Sequence, residues 1–322
     1  MVATSYGFIP DNELVIEKFP SEPLVKIENC LESLVIDKID KKTSYIQVKN
    51  QNFSQGKFVS LDSINFKHIS QYIETADTLF KTKFSKRTFT IPIYLTPKLS
   101  YFIGYFAADG ALKNIFKSFD NRGRFDYKFK VGDEFLVQTQ IIQNIFNELF
   151  GYAPPIRTER IEKGEKYYYI ELGSKVVYRY LTGTFGFPCG SKTDCLEIPP
   201  IIRNAPKELR KWFVRGFLDA DGAVKTMEQY DDIPVGNYVY INIKPLKFEL
   251  QLMDIIKEDF GVQFFKPSHD KEYEAWKTGT SAFKNIIRLH EQKIFIHPIK
   301  RWRLEKLVKI LNTGTVAQSG SS

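Results

Sequence analysis

The sequence of 322 residues predicts an α+β fold, in which two pseudo-symmetric αββαββα repeats follow a small N-terminal domain. The first observation is an internal repeat: the segment YFIGYFAADG, ending at Gly110, matches FVRGFLDADG, ending at Gly222. The second is a helical stretch that ends in Phe-Gly, at Gly151 and again at Gly261, with nearly the same spacing. The third is the alternation of apolar and polar residues over 124–131, which is typical of a strand.

The first repeat is expected to span residues 91–200. A helix over 99–108 follows Pro97, and Gly110 is expected to close it in a left-handed conformation. The remaining predicted elements are a strand over 124–131, a helix over 135–150, a strand over 166–172 and a helix over 174–184.

The second repeat is expected to span residues 201–312, with a strand over 238–244, a helix over 246–260 and a last helix over 298–311. The tail, 313–322, is rich in Gly, Ser and Thr and is expected to be flexible. Residues 1–90 lie outside the repeat and form the small N-terminal domain. Its predicted elements are strands over 34–39, 45–48 and 58–61, and a helix over 69–80.

Composition excludes several classes of protein. Cys30, Cys189 and Cys195 form no paired framework and no CxxC motif, so neither a disulfide scaffold nor a cysteine-rich zinc site is expected. No apolar run approaches the length of a membrane span, and the first residues do not match a signal or transit peptide. We therefore expect an intracellular protein of the cytoplasm, the nucleoid or an organelle, with no membrane partner.

The net charge is +8, and most of it falls within the repeats. Residues 1–90 hold 12 basic and 11 acidic side chains, so nearly all of the excess positive charge lies after residue 90. A basic surface favours polyanionic partners such as nucleic acids.

The two repeated helices carry small residues four positions apart: Gly104 with Ala108, and Gly216 with Ala220. Such a stripe lets two helix backbones approach closely. Because both copies carry it, we expect the two helices to pack against each other on a pseudo-twofold axis.

Asp109 and Asp221 close these helices, at the end where the helix dipole is already negative. If the helices pair, the two carboxylates also converge, and each raises the pKa of the other. A divalent cation would offset this repulsion, and Mg²⁺ binds through one or two carboxylates together with water and substrate phosphates. The alternative is that both aspartates merely cap the helices or face solvent.

The two motifs resemble those of single-chain LAGLIDADG homing endonucleases. The second, GFLDADG, is a near-complete match, whereas the first has Ala107 where the family often has an acid. The resemblance extends through FGFPCGSK, which ends at Lys192, and FIHPIK, which ends at Lys300, and it covers residues 91–312. It implies that the motif helices form the central interface beneath a DNA-binding saddle of two antiparallel sheets.

The resemblance also implies the chemistry. Asp109 and Asp221 would bind Mg²⁺, with Mn²⁺ as a substitute, and would act with Lys192 and Lys300 on the two scissile phosphates of double-stranded DNA. Lys293 and Arg301 compete with Lys300 for the second lysine position. The implied activity is a site-specific double-strand cut that leaves short 3′ overhangs, made by a monomer.

The polar strand faces supply candidate contacts to base edges, and other basic residues supply candidate contacts to phosphates. For each of them, an ordinary solvated position is an equal alternative. The candidates on the strand faces are Arg124, Lys128, Lys130, Tyr238, Tyr240, Asn242 and Lys244. The other candidates are Lys113, Arg122, Arg157, Arg160, Lys163, Lys166, Lys225 and Arg301.

Three other functions stay open. A maturase for RNA splicing or a DNA-binding regulator would use the same basic saddle without cleavage, although the presence of both acids favours cleavage. A degenerate intein remnant would carry the same core, but Leu311-Asn312-Thr313 lacks the histidine of the terminal His-Asn pair. The third is a generic basic nuclease or an RNA-binding module; a histidine-based nuclease is disfavoured, because the four histidines show no metal-ligand spacing.

Overall fold

The computed structural model describes residues 2–4, 7–9, 17–28, 30–35, 44–48, 56–61, 78–83, 85–119, 122–160, 166–192, 195–225, 237–271 and 274–319. It is a mixed α/β structure in which the sheets are antiparallel. Within these residues, no helix is both long enough and apolar enough to cross a bilayer.

The N-terminal part is made of short strands. They are β1 (Val2–Thr4), β2 (Gly7–Ile9), β3 (Val25–Lys26), β4 (Ser44–Val48), β5 (Lys57–Ser60) and β6 (Leu79–Thr82), with a 3₁₀ helix over Glu32–Leu34 between β3 and β4. Strands β5, β4 and β6 form one sheet in that order, and β3 pairs with β7 (Tyr94–Leu95). The predicted strands over 45–48 and 58–61 are thus confirmed to within one residue.

Two N-terminal predictions are wrong where the structure describes the residues. Leu34 ends the 3₁₀ helix instead of opening a strand, because its carbonyl accepts a hydrogen bond from the Arg179 guanidinium at 2.8 Å. Leu79 and Phe80 belong to β6 and not to a helix, because Phe80 exchanges two backbone hydrogen bonds with Phe89. The rest of both predicted elements, residues 36–39 and 69–77, lies outside the described residues.

The first repeat has the predicted αββαββα order. Its elements are α1 (Pro97–Asp109), β8 (Ala111–Phe119), β9 (Arg122–Asp133), α2 (Leu136–Phe150), β10 (Ile156–Arg160), β11 (Lys166–Gly173) and α3 (Lys175–Arg179), which continues as a π-helical turn over Tyr180–Thr184. A short helix, α4 (Pro200–Arg203), leads into the second repeat.

The second repeat has the same order and one further helix. Its elements are α5 (Lys207–Asp221), β12 (Gly222–Lys225), β13 (Tyr238–Ile243), α6 (Leu246–Ile255) with a π-helical turn over Ile256–Phe260, β14 (Ser268–Asp270), β15 (Ala275–Thr280), α7 (Phe283–Glu291) and α8 (Pro298–Ser319). Helix α8 continues to Ser319, so residues 313–319 of the tail that was expected to be flexible are helical, and residues 320–322 lie outside the described residues. A helix that has already formed extends at little cost per residue, and no proline interrupts this one.

The two four-stranded sheets share one topology. The strand orders are β8-β9-β11-β10 in the first repeat and β12-β13-β15-β14 in the second, and every neighbouring pair is antiparallel. Alternate residues such as Phe129 and Val131 on β9, and Val239 and Ile241 on β13, are fully buried. The opposite faces carry the polar residues, as the period of two predicts.

Local sequence explains where the helices begin and end. Thr96 caps α1, because its hydroxyl accepts a hydrogen bond from the Leu99 amide at 3.2 Å and Pro97 follows as the first helical residue. Gly151 and Gly261 end their helices with φ of +68° and +64°, a left-handed conformation that favours glycine.

The predicted left-handed conformation of Gly110 is wrong. Its φ is −76° and its ψ is 152°, because the chain leaves α1 directly into extended β8. Gly222 behaves in the same way between α5 and β12, with φ of −74°. Glycine is needed at Gly110 for space, since a Cβ there would overlap the ring of Phe106.

One hydrophobic cluster joins both repeats and includes N-terminal residues such as Ile27, Leu34 and Phe80. Its centre contains the stacked rings of Phe106 and Phe129, whose centroids lie 5.2 Å apart. The division at residue 90 stays a prediction, but parts of the chain before it share the core of the repeats.

Candidate active site and basic sheet faces

Helices α1 and α5 touch backbone to backbone. A Cβ placed on Gly104 would overlap the Phe213 carbonyl oxygen, and one placed on Gly216 would overlap the Tyr101 carbonyl oxygen. Both glycines of the predicted stripes therefore lie where the two helix backbones touch. Ala108 and Ala220, the other members of the stripes, are half-buried and pack against the core.

Asp109 and Asp221 are the last residues of the paired helices, so the pairing brings both helix ends to one place. Asp109 is half-buried and Asp221 is exposed, so water reaches both carboxylates. Desolvation by the surrounding protein nevertheless raises the pKa of both groups, and the charge of Asp221 raises that of Asp109 further. The effect of Asp221 on Asp109 is that of a like charge held nearby.

Lys192 caps the end of α1. Its Nζ donates hydrogen bonds to the carbonyl oxygens of Phe106, Ala107 and Ala108, at 3.1, 2.9 and 2.7 Å. An ammonium group has three protons, so all of its donors are used. Burial lowers the pKa of Lys192 to about 8, although the charges of Asp221 and Asp109 oppose this shift.

Lys300 has the equivalent position at the end of α5. Its Nζ donates hydrogen bonds to the carbonyl oxygens of Ala220 at 2.6 Å and Leu218 at 3.4 Å. Positive charge at a helix C-terminus is favourable because it complements the dipole. The positive charges of Lys300 and Lys192 oppose the increase in the pKa values of Asp109 and Asp221, but the net shift of both stays upward. The four residues singled out from the sequence therefore lie together.

The two competitors for the second lysine position lie elsewhere. Lys293 Nζ pairs with Glu17 Oε1 at 3.0 Å, and Arg301 Nη1 pairs with Glu17 Oε2 at 3.1 Å. Arg301 also pairs with Glu305. Both cations therefore contact Glu17 of the N-terminal segment. Of the three candidates, Lys300 is the one whose Nζ lies at the end of α5.

Sequence reasoning missed a buried carboxylate beside the site, Asp219. It accepts hydrogen bonds from the Tyr101 hydroxyl at 2.8 Å, from the Ile296 amide at 3.1 Å and from the His297 amide at 2.8 Å. Tyr101 in turn accepts a hydrogen bond from Gln138. The sequence did offer one signal: the second motif has an additional acid, Asp219, at the position where the first motif has Ala107.

A second buried carboxylate, Asp133, connects the repeats. The Tyr105 hydroxyl and the Phe135 amide donate hydrogen bonds to it, and His297 Nε2 lies 3.6 Å from its Oδ2. Burial lowers the pKa of His297, although the charge of Asp133 opposes this shift. Tyr105 and His297 lie far from Asp133 in sequence, so no local pattern could reveal these two contacts.

Among the described residues, no group of three or more His, Cys, Asp or Glu side chains is arranged to hold a metal ion. The site offers two carboxylates, Asp109 and Asp221. A cation bound there would therefore need water or phosphate oxygens for its remaining ligands.

The polar face of the first sheet carries basic residues that are paired with acids. Lys128 and Arg157 both lie near Glu171, at 3.4 and 3.3 Å, and Lys130 pairs with Glu159 at 2.7 Å. Three further candidates are exposed on the strands of this sheet, namely Lys113, Arg160 and Lys166. Lys163 lies outside the described residues. Arg122 and Arg124 lie on β9, but the structure does not describe their side chains.

The polar face of the second sheet combines tyrosines with lysines. The rings of Tyr238 and Tyr240 lie 5.0 Å apart, and Lys277 Nζ is 5.3 and 4.8 Å from their centroids. Lys225 lies over the same two rings. Lys277 was missed because its strand, β15, has no clear alternation. The two remaining candidates are Asn242, half-buried on β13, and Lys244, exposed just after it.

Solved structures with a similar fold include DNA-bound nucleases. Homing endonuclease I-DmoI in complex with DNA and Mn is 18% identical, with a TM-score of 0.43, and the match covers 61% of this chain and 96% of that one. LAGLIDADG homing endonuclease I-GzeII in complex with its DNA target is 15% identical, with a TM-score of 0.45, covering 72% and 94%. At these identities the likeness concerns the fold alone.

Two further comparisons give different names. Full-length DUF199/WhiA from Thermatoga maritima is 14% identical, with a TM-score of 0.42, covering 67% of this chain and 60% of that one. In sequence, the chain is 29% identical over 154 residues to a Methanocaldococcus jannaschii protein named "Probable translation initiation factor IF-2". That match covers 45% of this chain and only 13% of the relative's length. No protein-family model matches the chain.

Proposed function

We propose that this protein is a site-specific endonuclease that cuts both strands of double-stranded DNA with a divalent metal ion and leaves short 3′ overhangs. One observation carries the proposal: two helices in backbone contact end in Asp109 and Asp221, and a lysine Nζ holds each helix end. Two acids and two cations, related by a repeat, suit a reaction performed once on each strand. Because one chain supplies both halves, we propose that it acts as a monomer.

The residues fit a hard divalent cation. Both carboxylates lie at the negative ends of helix dipoles, and desolvation raises the pKa of each. This excess of negative charge is what a cation offsets, and two carboxylates with water and phosphate oxygens suit Mg²⁺, with Mn²⁺ as a substitute. When bound, such an ion polarises the scissile phosphate and orients a water molecule.

The lysines contribute as fixed charges. Lys192 donates all three of its protons to backbone carbonyls, so it is held as an ammonium whose field acts on the phosphates. Lys300 donates hydrogen bonds to two backbone carbonyls at the other helix end. Preorganised charge of this kind stabilises a transition state without reorganisation.

The sheet faces supply the contacts to DNA in this proposal. Arg, Lys and Asn side chains on a narrow antiparallel sheet can read base edges in the major groove, and exposed lysines contact phosphates. Tyr238, Tyr240 and Lys277 form one such face, and Lys128, Lys130 and Arg157 form the other.

Cleavage selection from a random-sequence duplex library with Mg²⁺ would identify a target and test the activity. We expect Asp109→Asn and Asp221→Asn to abolish double-strand cutting of the selected target, while binding in Ca²⁺ persists. The matched control is Asp254→Asn on α6, because Asp254 is exposed. Duplex binding without cleavage by the unmodified protein would overturn the proposal in favour of a DNA-binding regulator, and binding of structured RNA instead of duplex would favour a maturase.

A further inference from the structure

The second half of the site contains a closed ring of hydrogen bonds that passes through Asp219. This carboxylate is fully buried on α5, two residues before Asp221, and it accepts the backbone amides of Ile296 and His297. It thereby anchors the segment that leads into α8, the helix that carries Lys300.

The ring continues through the first turn of α8. His297 Nδ1 accepts hydrogen bonds from the Ile299 amide at 3.2 Å and the Lys300 amide at 3.5 Å, so this side chain caps the helix. Lys300 Nζ then returns to the carbonyls of Leu218 and Ala220, the residues on either side of Asp219. The backbone and the side chain of Lys300 are therefore both tied to one turn of α5.

The first half is built differently. The position that matches Asp219 is Ala107, which has no side-chain acceptor. Lys192 lies in a loop instead of a helix, and the loop is anchored by the Gly190 amide, which donates to the Leu112 carbonyl at 2.8 Å. Lys192 is half-buried, whereas Lys300 is only 8% exposed. The two lysines are thus positioned by unlike supports.

We propose that Asp219 is a positioning residue that fixes Lys300, and that it serves only the second of the two catalytic halves. This inference rests on the proposed nuclease function for its effect on cleavage, but its effect on Lys300 needs neither DNA nor metal. Loss of the carboxylate would free the amides of residues 296 and 297 and release the start of α8. Asp219→Asn is the apt substitution, because one carboxylate oxygen becomes an NH₂ that cannot accept, so in either orientation at least one amide hydrogen bond is lost, and the loss of the charge weakens those that remain.

The first test measures lysine accessibility in the metal-free protein. Reductive methylation followed by mass spectrometry reports the labelling rate of each lysine. We expect Asp219→Asn to raise the labelling rate of Lys300 by about tenfold, since the loss of about 1.4 kcal/mol changes an equilibrium by that factor. The rate of Lys192 should not change. Unchanged labelling of Lys300, or equal increases at both lysines, would overturn the inference.

The control is Tyr101→Phe, which removes one hydrogen bond to Asp219 and keeps the bonds to residues 296 and 297. It should leave the labelling of Lys300 unchanged. Asp219→Glu keeps the charge and should restore part of the protection. If Asp219→Asn fails to fold, hydrogen exchange in the unmodified protein still decides, because the amides of Ile296 and His297 must be among the slowly exchanging ones and fast exchange there would refute the inference.

The second test uses a duplex labelled on both strands, under single-turnover conditions. Asp219→Asn should slow the same strand that Lys300→Met slows, by about tenfold, and should leave the strand affected by Lys192→Met within about twofold. The double variant with Lys300→Met should lose no more than Lys300→Met itself, because the two residues act as one unit. Equal slowing of both strands would overturn the inference, whereas absence of any cleavage by the unmodified protein would refute the proposed function and leave the labelling result standing.

Discussion

Glu249 is a buried acid without a described partner. It lies on α6 with no exposed surface, and neither carboxylate oxygen has a hydrogen bond among the residues that the structure describes. Burial raises its pKa from 4.5 to about 8. An unpaired buried charge is costly, so this residue is expected to bind a proton in the folded protein.

The stability of the protein should therefore depend on pH through Glu249. The folded state keeps the proton up to about pH 8, whereas the unfolded state releases it near pH 4.5, so the contribution is complete below pH 4.5 and is lost as the pH rises towards 8. Glu249→Gln should remove this loss and raise the free energy of unfolding at pH 8 by up to about 5 kcal/mol, because the pKa values of the folded and unfolded states differ by about 3.5 units at roughly 1.4 kcal/mol each. Urea titrations from pH 5 to pH 8 measure it.

The control for this prediction is Glu291→Gln, because Glu291 is exposed at the end of α7. That variant should follow the unmodified protein at every pH. If Glu249→Gln showed the same pH dependence as the unmodified protein, Glu249 would be ionised in the folded state and this account of its burial would be wrong.

At the scale of elements, the pairing of α1 with α5 fixes the geometry of the site. Both glycines at the crossing face a carbonyl of the other helix. The crossing therefore sets the separation of the two helix ends, and with it the separation of Asp109 and Asp221.

Substitution of Gly104 by Ala should destabilise the protein even though alanine favours helix by about 1 kcal/mol. The added methyl group would force two backbones apart, and overpacking of a core costs about 1–3 kcal/mol. Thermal and urea unfolding would show a lower stability than that of the unmodified protein. The control is Gly173→Ala on β11, where a Cβ would meet its nearest neighbour only at 4.0 Å. An unchanged or higher stability for Gly104→Ala would contradict the tight crossing.

How much the sequence predicts also varies between elements. Residue spacing along the chain is enough to predict the repeat, the helix stripe and the equivalence of Lys192 with Lys300, because none of these depends on which residues meet in the fold. The conformation of Gly110 and the strand at Phe80 depend on tertiary partners, namely the strand that follows and Phe89. The Asp219 hydrogen bonds join residues distant in sequence, and such contacts leave no periodic trace.

At the scale of the whole molecule, the segment around Glu17 and Phe19 joins both repeats. The ring of Phe19 lies 5.2 Å from that of Tyr101 on α1 and 4.9 Å from that of Trp212 on α5. Glu17 binds Lys293 and Arg301 of the second repeat. This N-terminal segment therefore fastens the two halves at the helix pair.

Replacing Phe19 by Ala should lower the free energy of unfolding by about 2 kcal/mol, because a half-buried aromatic ring loses its contacts with both motif helices. The matched control is Phe265→Ala, since Phe265 is 44% exposed. It should stay within about 0.5 kcal/mol of the unmodified protein. Equal effects of the two substitutions in urea unfolding would show that Phe19 does not join the halves.

The buried contacts between the repeats have a consequence for the symmetry of the molecule. Asp219 of the second repeat uses the phenol of Tyr101, whose counterpart within the second repeat is Phe213. Two identical second repeats assembled as a homodimer would therefore bury two carboxylates and supply no phenol to either. The two halves are therefore complementary and not interchangeable, and a symmetric dimer of second repeats would need other side chains where the two helices meet.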